Sequence, residues 1–199
     1  MRFRKLTLNR VCALGLASAL SLATQVASAD DSCAGVALPA QSKEFGETLV
    51  RNGMGLREAT VFDVDVYVAA LYVEHKTRSA RDILNPQAPK VIVLRFVRDV
   101  SRDEMIDALR EALHNNAGTR YAEAQQHLQR FVAKLPKLQK GTELVLAYRP
   151  QHGIELTVNG RSLGVDSDDG FGNLVFRAWL GPKPPDADLK AGLLGGKCN

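Results

Sequence analysis

The chain has 199 residues, 45% hydrophobic and 24% charged, enough for one domain with a full core. Its formal charge of +4 and pI near 9.0 invite a nucleic-acid or membrane-surface partner, but the excess sits at one end. Without Arg2, Arg4, Lys5 and Arg10 the chain carries 22 basic and 22 acidic residues, and that balance excludes both partners on electrostatic grounds.

Those four cations belong to the first predicted element, a secretory signal peptide over residues 1–29. A short apolar core at 14–23 follows the basic region, and Ala27-Ser28-Ala29 supplies the small-x-small cleavage site before Asp30. The apolar run is too short to span a bilayer, no stop-transfer pattern follows, and no lipobox precedes Cys12. The expectation is an exported, soluble, periplasmic protein without a membrane span. Cys12 leaves with the signal, so Cys33 and Cys198 remain, one near each mature end. In an oxidising compartment two such cysteines pair as a disulfide, and the alternative is two free thiols on frayed termini.

Residues 30–42 read as a loosely ordered lead-in to a domain over 43–197, which contains no repeat, low-complexity tract or linker. Residues 45–51 and 60–74 read as strands, joined by a turn at Asn52-Gly53-Met54-Gly55. In the second strand Phe62, Val64, Val66 and Val68 alternate with Asp63, Asp65 and Tyr67, which predicts Tyr67 on the opposite face from the valines. A short helical turn at 79–85 stops at Pro86, and 91–97 is a strand. Ser101 and Glu104 form a capping box that opens a helix with Met105, Leu109, Ala112 and Leu113 on one face. That helix frays near 116–118. A second helix carries Tyr121, Ala124, Leu128, Phe131, Val132 and Leu135 and ends at Pro136. Strands at 143–148 and 154–158 follow, and Asn159-Gly160 marks a tight hairpin into 162–165. A helix at 169–180 stops at Gly181-Pro182, and a last helix starts near Asp186. Strands in antiparallel runs with helices in pairs predict an α+β domain, a sheet with helices on one face.

Gly53-x-Gly55-x-Arg57, Tyr67-Val-Ala-Ala-Leu71-Tyr72 and Leu94-x-Phe96-x-x-Asp99-Val100-Ser101 occur in this order, followed by Val158-Asn159-Gly160 and Trp179-Leu180-Gly181-x-x-Pro184. With Leu189-Lys190 and Leu193-Leu194-Gly195 they make the chain resemble the chalcone isomerase-like family, in its bacterial exported branch. The resemblance implies an open-faced β-sandwich, a large antiparallel sheet packed by a layer of helices, with a ligand cleft between them. It implies either of two activities. Isomerases of the family close a chalcone to a flavanone by adding a phenolate to an enone, and non-catalytic members bind fatty acids with an arginine on the carboxylate.

Arg57 matches that arginine. A guanidinium beside an apolar cleft offers a two-donor fork to a carboxylate or phenolate, whereas residue type alone favours an internal ion pair or solvation. Tyr67 could donate to the same anion, or simply be a core tyrosine with its hydroxyl at the rim. Where Tyr67 stands the isomerases resemble one another in carrying threonine, and tyrosine is closer to the fatty-acid binders. Isomerases also use a tyrosine and an asparagine from the helical layer. Tyr121, Asn115 and Asn116 are available, but Asn115 and Asn116 read as a helix end and Tyr121 as packing. Asp63 and Asp65 read as a wet strand face, and Arg95 as an edge charge. Trp179 joins Phe171, Leu174 and Val175 as core packing. His75, His114, His127 and His152 have no zinc-ligand spacing, so no metal and no cofactor are expected.

The leading expectation is an exported protein that is not an enzyme and binds a fatty acid or similar small amphipathic carboxylate through Arg57 and Tyr67. The alternatives are an intramolecular lyase on a phenolic enone with the same two residues as catalytic candidates, and an envelope interaction module. No protein partner is legible.

Overall fold

The computed structural model describes residues 32–59 and 64–198. The signal segment, Phe62 and Asp63 lie outside the described residues. Among the described residues nine strands run as β1 (Ser32–Cys33), β2 (Val36–Ala37), β3 (Gln41–Glu44), β4 (Glu47–Ala59), β5 (Val64–Val73), β6 (Lys90–Phe96), β7 (Glu143–Arg149), β8 (Gly153–Val158) and β9 (Arg161–Asp166). The helices are α1 (Ala80–Ile83), α2 (Arg102–Ala117), α3 (Tyr121–Phe131), α4 (Asp169–Leu180) and α5 (Ala187–Leu193). Strands β3 to β9 form one antiparallel sheet in which every hydrogen-bonded neighbour is also the neighbour in sequence, and β1 and β2 pair separately.

Side-chain alternation divides the sheet into two faces. Tyr67, Ala69, Leu71 and Val73 join the helix-side core with Leu109 and Leu113 of α2, Leu128 of α3, Trp179 of α4 and Leu189 of α5. Val68, Ala70 and Tyr72 face the other way into a smaller cluster with Leu49, Met54 and Leu56, capped by Cys33 and Leu38 from the N-terminal segment. The Tyr72 hydroxyl donates to Pro39 O at 2.9 Å. Cys33 and Cys198 are joined as a disulfide with their Cα atoms 5.6 Å apart, which ties these two positions together on this second face. The architecture is the expected α+β open-faced sandwich.

Local signals account for most element ends. Ser101 accepts from Glu104 N while Glu104 Oε2 accepts from Ser101 N at 2.7 Å, so the capping box forms. Asn159 and Gly160 both have positive φ, 48° and 74°, as a primed two-residue hairpin requires. Asp168 caps α4, and Asp186 caps α5.

Two expectations are corrected. Asn52-Gly53-Met54-Gly55 is not a turn but the middle of β4, which runs unbroken from Glu47 to Ala59. The glycines serve packing. A Cβ on Gly53 would lie 2.1 Å from Gly192 O, and one on Gly55 would lie 2.7 Å from Leu189 O, so α5 rests directly on the strand backbone. The buried Asn52 side chain fastens that contact by donating to Leu193 O at 2.7 Å. The alternation expected through Val64, Val66 and Tyr67 also breaks. The register shifts between Arg57 and Glu58, and beyond the bulge Val66 packs against the same core as Tyr67.

Candidate functional site

The Gly53-x-Gly55-x-Arg57 pattern acquires a physical meaning from strand alternation. Gly53, Gly55 and Arg57 share the helix side of β4, because Met54 and Leu56 lie in the opposite cluster. The two glycines seat α5, and Arg57 emerges beside its N-terminus, where Asp186 is the cap. Across the strand pair, Arg57 stands opposite Tyr67. The two residues meet on one wall of a cleft of about 480 Å³ between the sheet and the helical layer. That volume falls within the roughly 300–1,000 Å³ usual for small-molecule sites. Val66, Met105, Ala108, Leu109, Ala112 and Ala178 provide much of its apolar lining.

Arg57 is only 19% exposed, and its nearest anion is Asp186 Oδ2 at 3.8 Å from Nη1. This is an ion pair without a hydrogen bond, and Nη1 is buried with no hydrogen-bond partner among the described residues. Asp186 is occupied elsewhere. Its Oδ1 accepts from Asp188 N at 2.9 Å and Leu189 N at 3.0 Å, and its Oδ2 accepts from Glu58 N at 3.3 Å. The carboxylate thus balances the charge of Arg57 while leaving the donors of its fork open.

Tyr67 is 7% exposed, and its hydroxyl oxygen accepts from Trp179 Nε1 at 3.1 Å. That bond leaves the phenolic proton free, since no acceptor for it occurs among the described residues. Burial pushes the Tyr67 pKa up to about 12, against the smaller lowering effects of the Trp179 hydrogen bond and the Arg57 charge. The phenol therefore stays protonated at any physiological pH and faces the cleft as a donor. Phe96 packs edge-on at 5.5 Å between ring centroids and fixes the ring.

Trp179 is core packing as expected, being 2% exposed, but it also lines the cleft and orients Tyr67. Sequence reasoning missed that second role, read Asp186 only as a helix start, and passed over Arg98. The cap was legible, but the pairing of Asp186 with Arg57 was not, and nothing local marks Arg98. Of the three helical-layer candidates only Asn115 lines the cleft. Asn116 is buried, with its amide nitrogen donating to Ala112 O and Lys183 O and its oxygen accepting from Lys183 N. Tyr121 stacks edge-on against His114 at 4.8 Å. Arg95 pairs with Glu143 across β6 and β7, away from the cleft, and Asp65 is exposed.

A second polar cluster lies at the far end of the helical layer. Glu123, His127 and Asp168 present ligand atoms within 4.8 Å of one another. Arg120 already meets the two acids, at 3.3 Å from Glu123 and 3.9 Å from Asp168, and His127 Nδ1 is held by Asp166 at 2.8 Å. The arrangement works as an ion-pair network that joins α3 to the start of α4.

A seven-stranded antiparallel sheet, backed on one face by helices and holding a cleft between the layers, places the chain in the class of open-faced α+β sandwiches. The chain matches the chalcone isomerase-like family model over residues 30–195 and belongs to that family. A crystal structure of a fatty-acid binding protein from Arabidopsis thaliana has the same fold, with a TM-score of 0.65 at 17% identity over 80% of this chain and 92% of that one. No curated protein matches the sequence.

Proposed function

We propose that this protein binds a fatty acid or a similar small amphipathic carboxylate, with the acid group on Arg57 and Tyr67 and the chain along the apolar cleft wall. One observation carries the reading: Arg57 Nη1 and the Tyr67 hydroxyl are two buried donors without acceptors on one wall of a 480 Å³ cleft. A carboxylate supplies the acceptors for both. Burying it elsewhere in an apolar recess would carry a prohibitive desolvation cost, and each buried methylene adds about 0.8 kcal/mol. The fatty-acid binding function of the Arabidopsis protein of like fold supports the same reading. An open cleft beside Arg57 counts against a purely structural envelope module.

The test is to purify the exported protein under native conditions and identify its small molecules by mass spectrometry. Wild type is expected to retain carboxylic acids, and Arg57→Ala to lose them with an unchanged circular dichroism spectrum. Identical lipid content in both would remove Arg57 as the anchor.

The isomerase alternative has one supporting observation, Asn115 in the cleft wall. The resemblance also asks for a tyrosine from the helical layer, and Tyr121 is engaged with His114 instead. An absorbance assay on a chalcone separates the two; we expect no acceleration over buffer.

Export to the periplasm with cleavage after Ala29 belongs to the same proposal. The neutral charge balance after cleavage and the Cys33–Cys198 disulfide support it, since such bonds persist in oxidising compartments. Mass determination of the purified protein tests it directly, with Asp30 as the expected first residue.

A further inference from the structure

The binding mode above uses one end of the cleft and leaves the other unexplained. Among the described residues, Arg98 Nε is buried without a hydrogen-bond partner, as Arg57 Nη1 is, and both arginines line the same cleft. They stand on opposite sides of β5. Arg57 pairs with Tyr67 from β4, whereas Val97 N donates to Val66 O at 3.0 Å, so Arg98 directly follows the pairing of β6 with β5. Two strand spacings of about 4.8 Å separate the backbones by roughly 10 Å. Val66 and the Tyr67 ring lie between them, with Met105, Ala108 and Leu109 also lining the cleft. The cleft is therefore polar, then apolar, then polar again. The Arg98 Nη1 donates to Asp99 O at 3.3 Å, and a simple fatty acid would satisfy Arg57 and leave the buried Arg98 Nε without an acceptor.

The chemistry around Arg98 also selects the kind of acceptor. Glu104 lines the cleft from the first turn of α2, Glu111 lies two turns farther along that helix, and Lys183 sits beside the helix end. Glu104 is held ionised by hydrogen bonds from Ser101, with a further contribution from the Arg98 charge. A second ligand carboxylate beside Arg98 would meet the ionised Glu104. A neutral acceptor meets none of that repulsion.

Resting on the carboxylate reading of Arg57, we propose that the ligand is a hydroxy- or oxo-substituted fatty acid. Its second, uncharged oxygen lies roughly two strand spacings (~10 Å) from the carboxylate and accepts from Arg98. The test uses the exported protein stripped of lipid and titrated calorimetrically with decanoate, 10-hydroxydecanoate and decanedioate. Wild type is expected to favour 10-hydroxydecanoate over decanoate by about tenfold, the value of one net hydrogen bond, with decanedioate weaker than the hydroxy acid. Arg98→Met should abolish that preference while keeping the affinity for decanoate, which also reports that the variant is folded. Arg98→Lys, which keeps the charge without Nε, should lose the preference as well. Equal binding of decanoate and 10-hydroxydecanoate by wild type, or a preference that survives Arg98→Met, would overturn the second acceptor and leave the Arg57 anchor standing. Tightest binding of decanedioate would overturn the choice of a neutral group. Failure of all three acids to bind would overturn both readings.

Discussion

Lys90 shows how one buried cation can shape the response of the molecule to pH. It is 0% exposed at the start of β6, and its ammonium donates to Asn85 O at 2.9 Å and Ala88 O at 3.1 Å. Its Nζ also lies 4.4 Å from the centre of the Tyr148 ring. Burial lowers its pKa to about 7, although the carbonyls and the ring favour the charged form and oppose that shift. A folded pKa below the unfolded value means that the unfolded chain holds the proton more tightly between about pH 7 and 10.5. Stability should therefore rise with pH across that window. Tyr67 and Tyr72 act in the opposite sense, because burial raises each from 10 to about 12 and their contribution is lost as pH climbs through 12. Urea unfolding should thus show greatest stability near pH 10. Lys90→Met should flatten the rise, worth on the order of a few kcal/mol at most, and leave the alkaline fall in place.

At the scale of elements, the seat of α5 on β4 is the contact most sensitive to a single methyl group. A Cβ on Gly53 would meet Gly192 O at 2.1 Å and Gly195 N at 2.7 Å, both of them backbone atoms. Gly53→Ala should cost about 3 kcal/mol by overpacking and push α5 off the strand. Asp186 would move with the helix, so ligand retention at Arg57 should fall too. Gly160→Ala is the control; it meets no atom within 4 Å but must hold a φ of 74°, for a cost of about 1 kcal/mol. Thermal denaturation of both variants checks the ranking. The same contrast explains what was legible in advance. Asn159-Gly160 and the Ser101–Glu104 box are local devices, and each declares itself within four residues. Gly53 and Gly55 mimic a turn signal because their real requirement comes from a helix near the other end of the chain. Arg57 and Tyr67 were legible through the family pattern, since they pair across adjacent strands. The cleft roles of Trp179 and Arg98, and the pairing of Asp186 with Arg57, were not, because only the packing of α4, α5 and the β6 end against β5 brings these groups together.

At the scale of the molecule, the Cys33–Cys198 link closes a span of 165 residues. The loop-closure model sets its stabilisation at about 5 kcal/mol as an upper bound. Reductant should lower the melting temperature of wild type and leave Cys198→Ser unchanged, and urea unfolding should give the two the same stability under reducing conditions. The sheet that this link encloses has a different logic, because each strand from β3 to β9 lies beside the one made just before it. Such a ribbon can be laid down in the order in which the polypeptide arrives, one hairpin after another. The crosslink has no such schedule, for its second half lies 165 residues after its first. A growing chain would therefore hold the sulfur at position 33 without its mate, open to capture by another thiol, until 165 further residues had been made.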